Sequence, residues 1–127
     1  MMNYQKKPVL MHDGDEYYFI YKKNHINCPI CRSDIFFSVY NSDDFDKLAH
    51  PLQDNLAKNI ACLVKNENEC GRRYTYKRLA LRIDYTKCEL GGHDFAVIFT
   101  FGEIQNTRYG SHLLGVFQIT KEQLLAQ

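Results

Sequence analysis

The sequence predicts an α+β fold with a mainly antiparallel sheet and one or two central helices. Segments rich in β-branched and aromatic residues recur along the chain with turn residues between them, which is typical of antiparallel strands. Residues 51–64 form the best-supported stretch in which apolar residues recur at helical spacing. The 127 residues fit one domain, and a hydrophobic content of 45% is enough for an ordinary core without disulfides. We therefore expect a single domain, 1–127.

The first third of the chain is expected to contribute three strands. Residues 8–12 and 16–22 are rich in strand-forming residues, and Asp13-Gly14 between them readily adopts the positive φ of a tight turn. This pattern predicts a β-hairpin. Residues 33–40, "SDIFFSVY", favour a third strand.

Two helices are predicted in the middle of the chain. Ser42 can cap a first helix, whose opening turn would contain Asp43, Asp44 and Asp46, charges that suit the positive end of a helix dipole. The second is predicted over 51–64, where the apolar positions share one face that we expect to pack on the core. These positions are Leu52, Leu56, Ile60 and Leu63.

The second half of the chain reads as strands followed by a short helix. Residues 74–85 alternate apolar with charged residues, which predicts one long strand with a wet face. After a Gly-Gly turn, residues 95–101 are apolar on both faces, which predicts a central strand. A last strand follows, and Thr120 with Gln123 resembles a capping box that opens a terminal helix.

The apolar runs, the net charge and the cysteine content of the sequence indicate where the protein is located and what it could bind. The first residues lack the apolar run of a signal peptide, and no run of about 18 apolar residues occurs, so we expect a cytoplasmic protein without a membrane span. The net charge is +1, with residues 1–71 at −2 (8 Lys/Arg, 10 Asp/Glu) and residues 72–127 at +3 (8 against 5). Five cysteines in a reducing compartment favour metal binding over disulfides.

Cys28-Pro29-Ile30-Cys31 carries the clearest chemical signal. A Cys-x2-Cys turn lets two thiolates point at one zinc ion, which prefers four ligands in a tetrahedron. The remaining two ligands must come from elsewhere, and Cys70 is favoured because it precedes a glycine in a turn that leads into a strand. The favoured set is Cys28, Cys31, Cys62 and Cys70. A rival set is Cys28, Cys31, Cys88 and His93, because "CELGGH" is itself a loop with two zinc-capable groups.

The segment "CPIC" followed by a strand, and later "CLVKNENECGRRYTY" leading into another strand, resembles the two halves of a zinc ribbon. The resemblance covers residues 25–78. The zinc ribbons that this segment resembles include the small ribbon proteins of phage transcriptional activators. Seven residues separate Cys62 from Cys70, whereas ribbons generally have two or four between the later cysteines. The resemblance implies a zinc-ribbon-like knuckle region, a structural Zn²⁺ and a small regulator that binds nucleic acid.

The stretch "RRYTYKR" is the candidate nucleic-acid surface. Cations neutralise phosphates and tyrosines stack on unpaired bases, a combination that single-strand binders use. The candidate residues are Arg72, Arg73, Tyr74, Tyr76, Lys77 and Arg78. The other interpretation is that strand alternation simply turns the tyrosines toward one layer and the arginines toward water.

Known catalytic motifs are missing from the sequence, so we expect no enzymatic activity. The main hypothesis is a zinc-stabilised binding module whose partner is nucleic acid. The alternative is a small inhibitor that blocks a nuclease or a defence complex by protein contact, through residues 43–46 or the loop near Arg108 and Tyr109. A metal-dependent hydrolase would need an acid such as Asp34 or Glu69 beside a metal with an open position. No motif is tied to one pathway or oligomeric state.

Overall fold

Ten strands are the main regular elements of the structure, a computed structural model that describes residues 1–15 and 17–126. In chain order they are β1 (Val9–Gly14), β2 (Asn24–Asn27), β3 (Asp34–Phe37), β4 (Asp43–Asp44), β5 (Val64–Asn68), β6 (Gly71–Tyr76), β7 (Leu79–Lys87), β8 (Asp94–Thr100), β9 (Gly102–Gln105) and β10 (Arg108–Phe117). The described residues also form the α-helices α1 (His50–Ala57) and α2 (Lys121–Leu125), and the 3-10 helices Tyr17–Tyr21 and Phe45–Lys47. None of these helices is long and apolar enough to cross a membrane.

Eight of the strands belong to one antiparallel sheet. Its main path runs β1-β10-β8-β7-β6-β5, with β4 paired to β7 and β9 paired to β10. Strands β2 and β3 form a separate hairpin, and β3 contacts β7 of the large sheet. The predicted mainly antiparallel sheet is therefore confirmed, and with few helices the structure is consistent with the predicted α+β class.

Both faces of the large sheet are covered. This is clearest at strand β8, whose successive side chains belong alternately to two separate apolar clusters, one on each face of the sheet. One cluster packs the helices on the sheet through Phe45, Leu52, Leu56, Leu124, Leu81, Ile83, Ala96, Ile98 and Phe117. The other packs the β2–β3 hairpin and the 3-10 helix Tyr17–Tyr21 on the opposite face through Phe19, Ile35, Phe37, Phe95, Val97, Phe99 and Val116. Cys28 and Cys88 belong to this second cluster.

Two local predictions are confirmed. Strand β8 is central, between β10 and β7, and Phe95–Thr100 are all buried. The capping box of α2 is complete, since Thr120 accepts a hydrogen bond from the backbone of Gln123 and the Gln123 side chain accepts one from the backbone of Thr120. The apolar run of β8 and the capping box of α2 are both patterns formed by residues close together in the sequence.

The predicted hairpin over residues 8–22 is wrong. Strand β1 pairs with β10, and Arg108 holds Asp13 through two hydrogen bonds of 2.6 and 2.7 Å. Residues Tyr17–Tyr21 form a 3-10 helix because this places Phe19 in the core, stacked on Phe101. Glu16, where the second strand was expected to begin, lies outside the described residues.

The helix predictions are correct only in part. Asp43–Asp44 form a short strand instead of a first helical turn, because Arg82 of β7 binds both Ser42 and Asp44. Helix α1 ends at Ala57, where the backbone tightens into i→i+3 hydrogen bonds and Asn3 donates a hydrogen bond to the Asn59 carbonyl. The helix therefore stops well before residue 64.

The long strand predicted over 74–85 is two strands, β6 and β7. Lys77 and Arg78 form the turn between them, with φ of 48° and 69°. Positive φ at both central residues is the geometry of a two-residue hairpin turn. The strand pattern was recognised, but no Gly or Asn marks this turn in the sequence.

Candidate metal centre

The first half of the site is the loop that joins β2 to β3, residues 28–33. The Cys28 backbone N–H donates to the Ser33 carbonyl at 2.8 Å, and the Arg32 N–H donates to the Cys28 carbonyl at 2.9 Å. Arg32 takes a positive φ of 63° to close the loop. The Ile30 N–H points at the Cys28 sulfur at 3.4 Å. The Cys-x2-Cys segment is thus a tight turn at the tip of a hairpin.

The second half is the loop that joins β7 to β8, residues 88–93. It repeats features of the first loop, because the Cys88 N–H donates to the His93 carbonyl at 3.0 Å and the His93 N–H points at the Cys88 sulfur at 3.1 Å. Gly92 takes a positive φ of 67°, a conformation that glycine adopts without a Cβ clash. Two hairpins therefore each present at their tips two side chains of a type that can bind a metal ion.

The two loops meet directly. The Glu89 N–H donates to the Asp34 carbonyl at 2.9 Å, and the Leu90 N–H donates to the Ser33 hydroxyl at 3.3 Å. These contacts fix the tip of one hairpin against the tip of the other, although the first hairpin belongs to the outer layer and the second to the large sheet.

Four potential ligands converge at this junction. The Sγ atoms of Cys31 and Cys88 are 3.6 Å apart, and the Nδ1 atom of His93 lies 3.3 Å from Cys88 Sγ and 3.8 Å from Cys28 Sγ. All four ligand atoms, from Cys28, Cys31, Cys88 and His93, lie within 4.8 Å of one another. The group could bind a metal ion.

Burial and hydrogen bonding differ among the four side chains. Cys28 and Cys88 are buried, Cys31 is exposed and His93 is intermediate. Hydrogen bonds with Ser33 lower the pKa of the Cys31 thiol to about 6, whereas burial raises the pKa of Cys28. Burial also acts to raise the pKa of Cys88, but hydrogen bonds from His93 and Ser33 outweigh it and lower that pKa. Hydrogen bonds with Cys88 and Cys31 raise the pKa of His93.

Gly91 is required by the space around the ligands. A Cβ atom at this position would lie 2.6 Å from the His93 ring and 2.7 Å from the Cys31 sulfur. Such distances are shorter than van der Waals contact, so any larger residue would displace one of the two ligands. Ser33 is the other supporting residue, with its hydroxyl 3.1 Å from the Cys31 sulfur. Sequence reasoning missed both residues, although "GGH" was a visible signal for the glycine.

The structure brings together the rival ligand set instead of the favoured one. Cys28 and Cys31 are in the group as expected, but Cys62 and Cys70 are not, and both are exposed. Cys62 follows α1 with a φ of 65°, and the Cys70 N–H donates to Asn68 in the turn between β5 and β6. The reason is topological, because β7 packs against β3 of the hairpin and the loop after β7 contains Cys88 and His93.

The predicted nucleic-acid strand is divided between structural and exposed residues. Arg72 is only 7% exposed and donates to Asp54 at 2.6 Å, and the Tyr74 hydroxyl donates to the same carboxylate oxygen. These bonds, that of Tyr74 before that of Arg72, lower the pKa of Asp54 to about 2. Arg73 donates to Asp46 at 3.1 Å.

The residues at the C-terminal end of this predicted strand are not bound to Asp54 or Asp46. Tyr76 packs its ring against His112 at 5.1 Å between centroids. Lys77 and Arg78 lie in the exposed turn between β6 and β7. Accessible positive charge on this segment is therefore concentrated at the turn and at Arg73, whose side chain is 62% exposed.

The surfaces considered for a protein inhibitor are internally paired. Asp44 binds Arg82, Asp46 binds Arg73, and Asp43 lies 3.9 Å from the Lys121 ammonium group. Arg108 and Tyr109, which were expected in a loop, begin strand β10, and Arg108 is held by Asp13. These charges contribute to the fold's own contacts.

Comparisons of this chain with models of known protein families, with curated proteins and with solved structures found no match.

Proposed function

We propose that this protein is a non-enzymatic binding module stabilised by one structural zinc ion, with nucleic acid as its partner. Cys28, Cys31, Cys88 and His93 would hold the ion. The observation that carries the proposal is the convergence of these four groups at the tips of two hairpins.

The spacing of the four atoms supports zinc. With a Zn–S distance of about 2.3 Å and a Zn–N distance of about 2.0 Å, tetrahedral geometry requires S–S separations of about 3.8 Å and S–N separations of about 3.5 Å. The separation of 3.6 Å between Cys31 and Cys88 agrees, as do those of 3.3 and 3.8 Å from His93 to Cys88 and Cys28. Three thiolates and one imidazole form a donor set common in structural zinc sites.

A structural role follows from the number of ligands. Catalytic zinc sites keep one position open for water or substrate, whereas four protein ligands fill the tetrahedron. Asp34, one of the two acids considered for a hydrolase, is hydrogen-bonded to His25 at 2.5 Å. These features support a metal that stabilises the fold instead of one that activates water.

The arrangement also supports a zinc-ribbon-like architecture, with a different second half. In the zinc-ribbon resemblance the second pair of ligands lies in residues 62–70, but here the second loop comes from residues 88–93. Each loop has a backbone N–H directed at a cysteine sulfur. The ribbon-like unit would therefore consist of the β2–β3 and β7–β8 hairpins.

The test is metal content in protein purified without an affinity metal, measured by elemental analysis. We expect one zinc per chain in the wild type and in the matched control C62S/C70S, and loss of zinc in C28S and C88S. The variant H93A keeps all three thiols and should bind zinc more weakly. Metal-free folded wild type, or zinc lost from the control but kept in C88S, would overturn the proposed site.

A further inference from the structure

Three tyrosine side chains are largely exposed to solvent. Tyr18, Tyr21 and Tyr40 are 69%, 65% and 69% exposed, whereas tyrosine is usually intermediate in burial. The Tyr21 and Tyr40 rings touch, with centroids 5.3 Å apart and planes inclined by 42°. We call these three residues the tyrosine surface. It lies on the outer layer, formed by the 3-10 helix Tyr17–Tyr21 and the turn that follows β3.

The backbone under the tyrosine surface is fixed. The Tyr40 N–H donates to the Ile20 carbonyl at 2.9 Å, which joins the segment after β3 to the 3-10 helix. Phe19, between the exposed tyrosines in sequence, is 2% exposed and stacks on His12 and Phe101. The rings are therefore presented on a rigid base, which lowers the entropy lost when a ligand stacks on them.

Positive charge accompanies the rings. Lys22 and Lys23 directly follow Tyr21 and are exposed. The Lys23 ammonium group lies 4.6 Å from the centre of the Phe36 ring, and that of Lys22 lies 5.8 Å from the centre of the Phe19 ring. Lys22 and Lys23 are the basic residues of this segment, and the acidic pair Asp15-Glu16 precedes it in the chain.

We propose that the tyrosine surface, with Lys22 and Lys23, binds single-stranded nucleic acid. Exposed aromatic faces stack on unpaired bases, and cations next to them neutralise the phosphates of the same nucleotides. The proposal rests on the proposed function and specifies where nucleic acid binds. The sequence placed the contact on β6, but Arg72 and Tyr74 are hydrogen-bonded to Asp54, and we place it on the outer layer.

The test uses zinc-loaded protein and fluorescein-labelled oligo(dT) and oligo(U) of about 15 nucleotides, within the range that a small binding module covers. Binding is followed by fluorescence anisotropy at several salt concentrations. We expect Y21A/Y40A to bind at least about tenfold more weakly, since each lost stacking contact accounts for about that factor. Y21F/Y40F keeps the rings and should bind like the wild type.

The lysines are tested by the salt dependence. Each phosphate contact contributes a slope of about −0.7 in log K against log salt for single strands, so K22A/K23A should reduce the slope by about 1.4. K47A/K58A removes two exposed charges beside α1, on the opposite face of the sheet, and is the matched control. It should leave the slope unchanged.

These experiments test the tyrosine surface independently of the proposed zinc site. Metal content is measured for every variant, so loss of binding in Y21A/Y40A with zinc retained supports the tyrosine surface. Zinc-loaded wild type that binds neither oligonucleotide at low salt would overturn it and leave the metal site intact. Equal binding by Y21A/Y40A and wild type, or loss of binding confined to K77A/R78A, would also overturn it.

Discussion

The sulfur atoms of Cys31 and Cys88 lie 3.6 Å apart, although the two residues are 57 positions apart in the chain. Cys31 belongs to the outer β2–β3 hairpin and Cys88 to the central β7–β8 hairpin. A metal bound between them would join two layers that otherwise meet mainly through apolar side chains. Such a metal would stabilise the contact between the two layers.

Removal of the metal should destabilise the fold. A ligand that binds the native state alone stabilises it by about 4 kcal/mol when its free concentration is a thousandfold above its dissociation constant. We therefore expect a chelator to lower the free energy of unfolding by several kcal/mol, measured by urea denaturation with and without EDTA. The control C62S/C70S should show the same loss, whereas C28S should be insensitive to EDTA. An unchanged wild-type midpoint in EDTA would contradict a stabilising metal.

Gly91→Ala should weaken metal binding. The added methyl group would meet the His93 ring and the Cys31 sulfur below van der Waals distance, so at least one ligand must move. We expect zinc affinity, measured by competition with a chromophoric chelator, to fall by at least about tenfold, the scale seen when residues that orient metal ligands are changed. Gly102→Ala crowds Leu79 at 3.0 Å instead and is the matched control. Similar affinities for the two variants would contradict the crowding argument.

The parts of the fold that could be predicted are those governed by neighbouring residues. The apolar run of β8 and the Thr120–Gln123 capping box are short-range patterns, and both were identified correctly. The pairing of β1 with β10 joins residues about a hundred positions apart, so the Asp13-Gly14 turn signal was misleading. A local signal could not show that Arg108 would hold Asp13.

The same distinction applies to the candidate site. The Cys28–Cys31 spacing indicated one half of the candidate metal site, because both cysteines lie in one turn. Choosing the other half required knowing which strand packs on the β2–β3 hairpin, and that contact is long-range. Sequence reasoning therefore had Cys88 and His93 as a rival pair and preferred Cys62 and Cys70.

Asp84→Asn should stabilise the protein at neutral pH. Burial raises the pKa of Asp84 to about 6 in the fold, above the unfolded value of about 3.9. The stability that comes from its protonated form is complete below about pH 3.9 and is lost as the pH rises through about 6. The variant should therefore be more stable than wild type at pH 7.5 by up to about 3 kcal/mol, with an amide oxygen still able to accept from the Ser38 N–H.

Denaturation of both proteins from pH 4 to pH 8 checks this prediction, the limits being set by about two units around the shifted pKa. The measured quantity is the difference in free energy of unfolding between the variant and wild type, in which the thiols and His93 cancel. The difference should grow between about pH 4 and 6 and then level off. A difference that does not change with pH would show that Asp84 has an ordinary pKa in the fold.

Tyr74→Phe should reduce stability without affecting nucleic-acid binding. The Tyr74 ring is 8% exposed and meets Phe45 edge-on, and its hydroxyl donates to the Asp54 carboxylate. Phenylalanine keeps the ring packing and removes one hydrogen bond, so we expect a loss of about 1 kcal/mol in urea denaturation. The loss should nearly vanish in a D54A background, because the acceptor is then gone. Unchanged stability together with weaker oligonucleotide binding would instead make Tyr74 a contact residue, as the basic and aromatic pattern of its strand suggested.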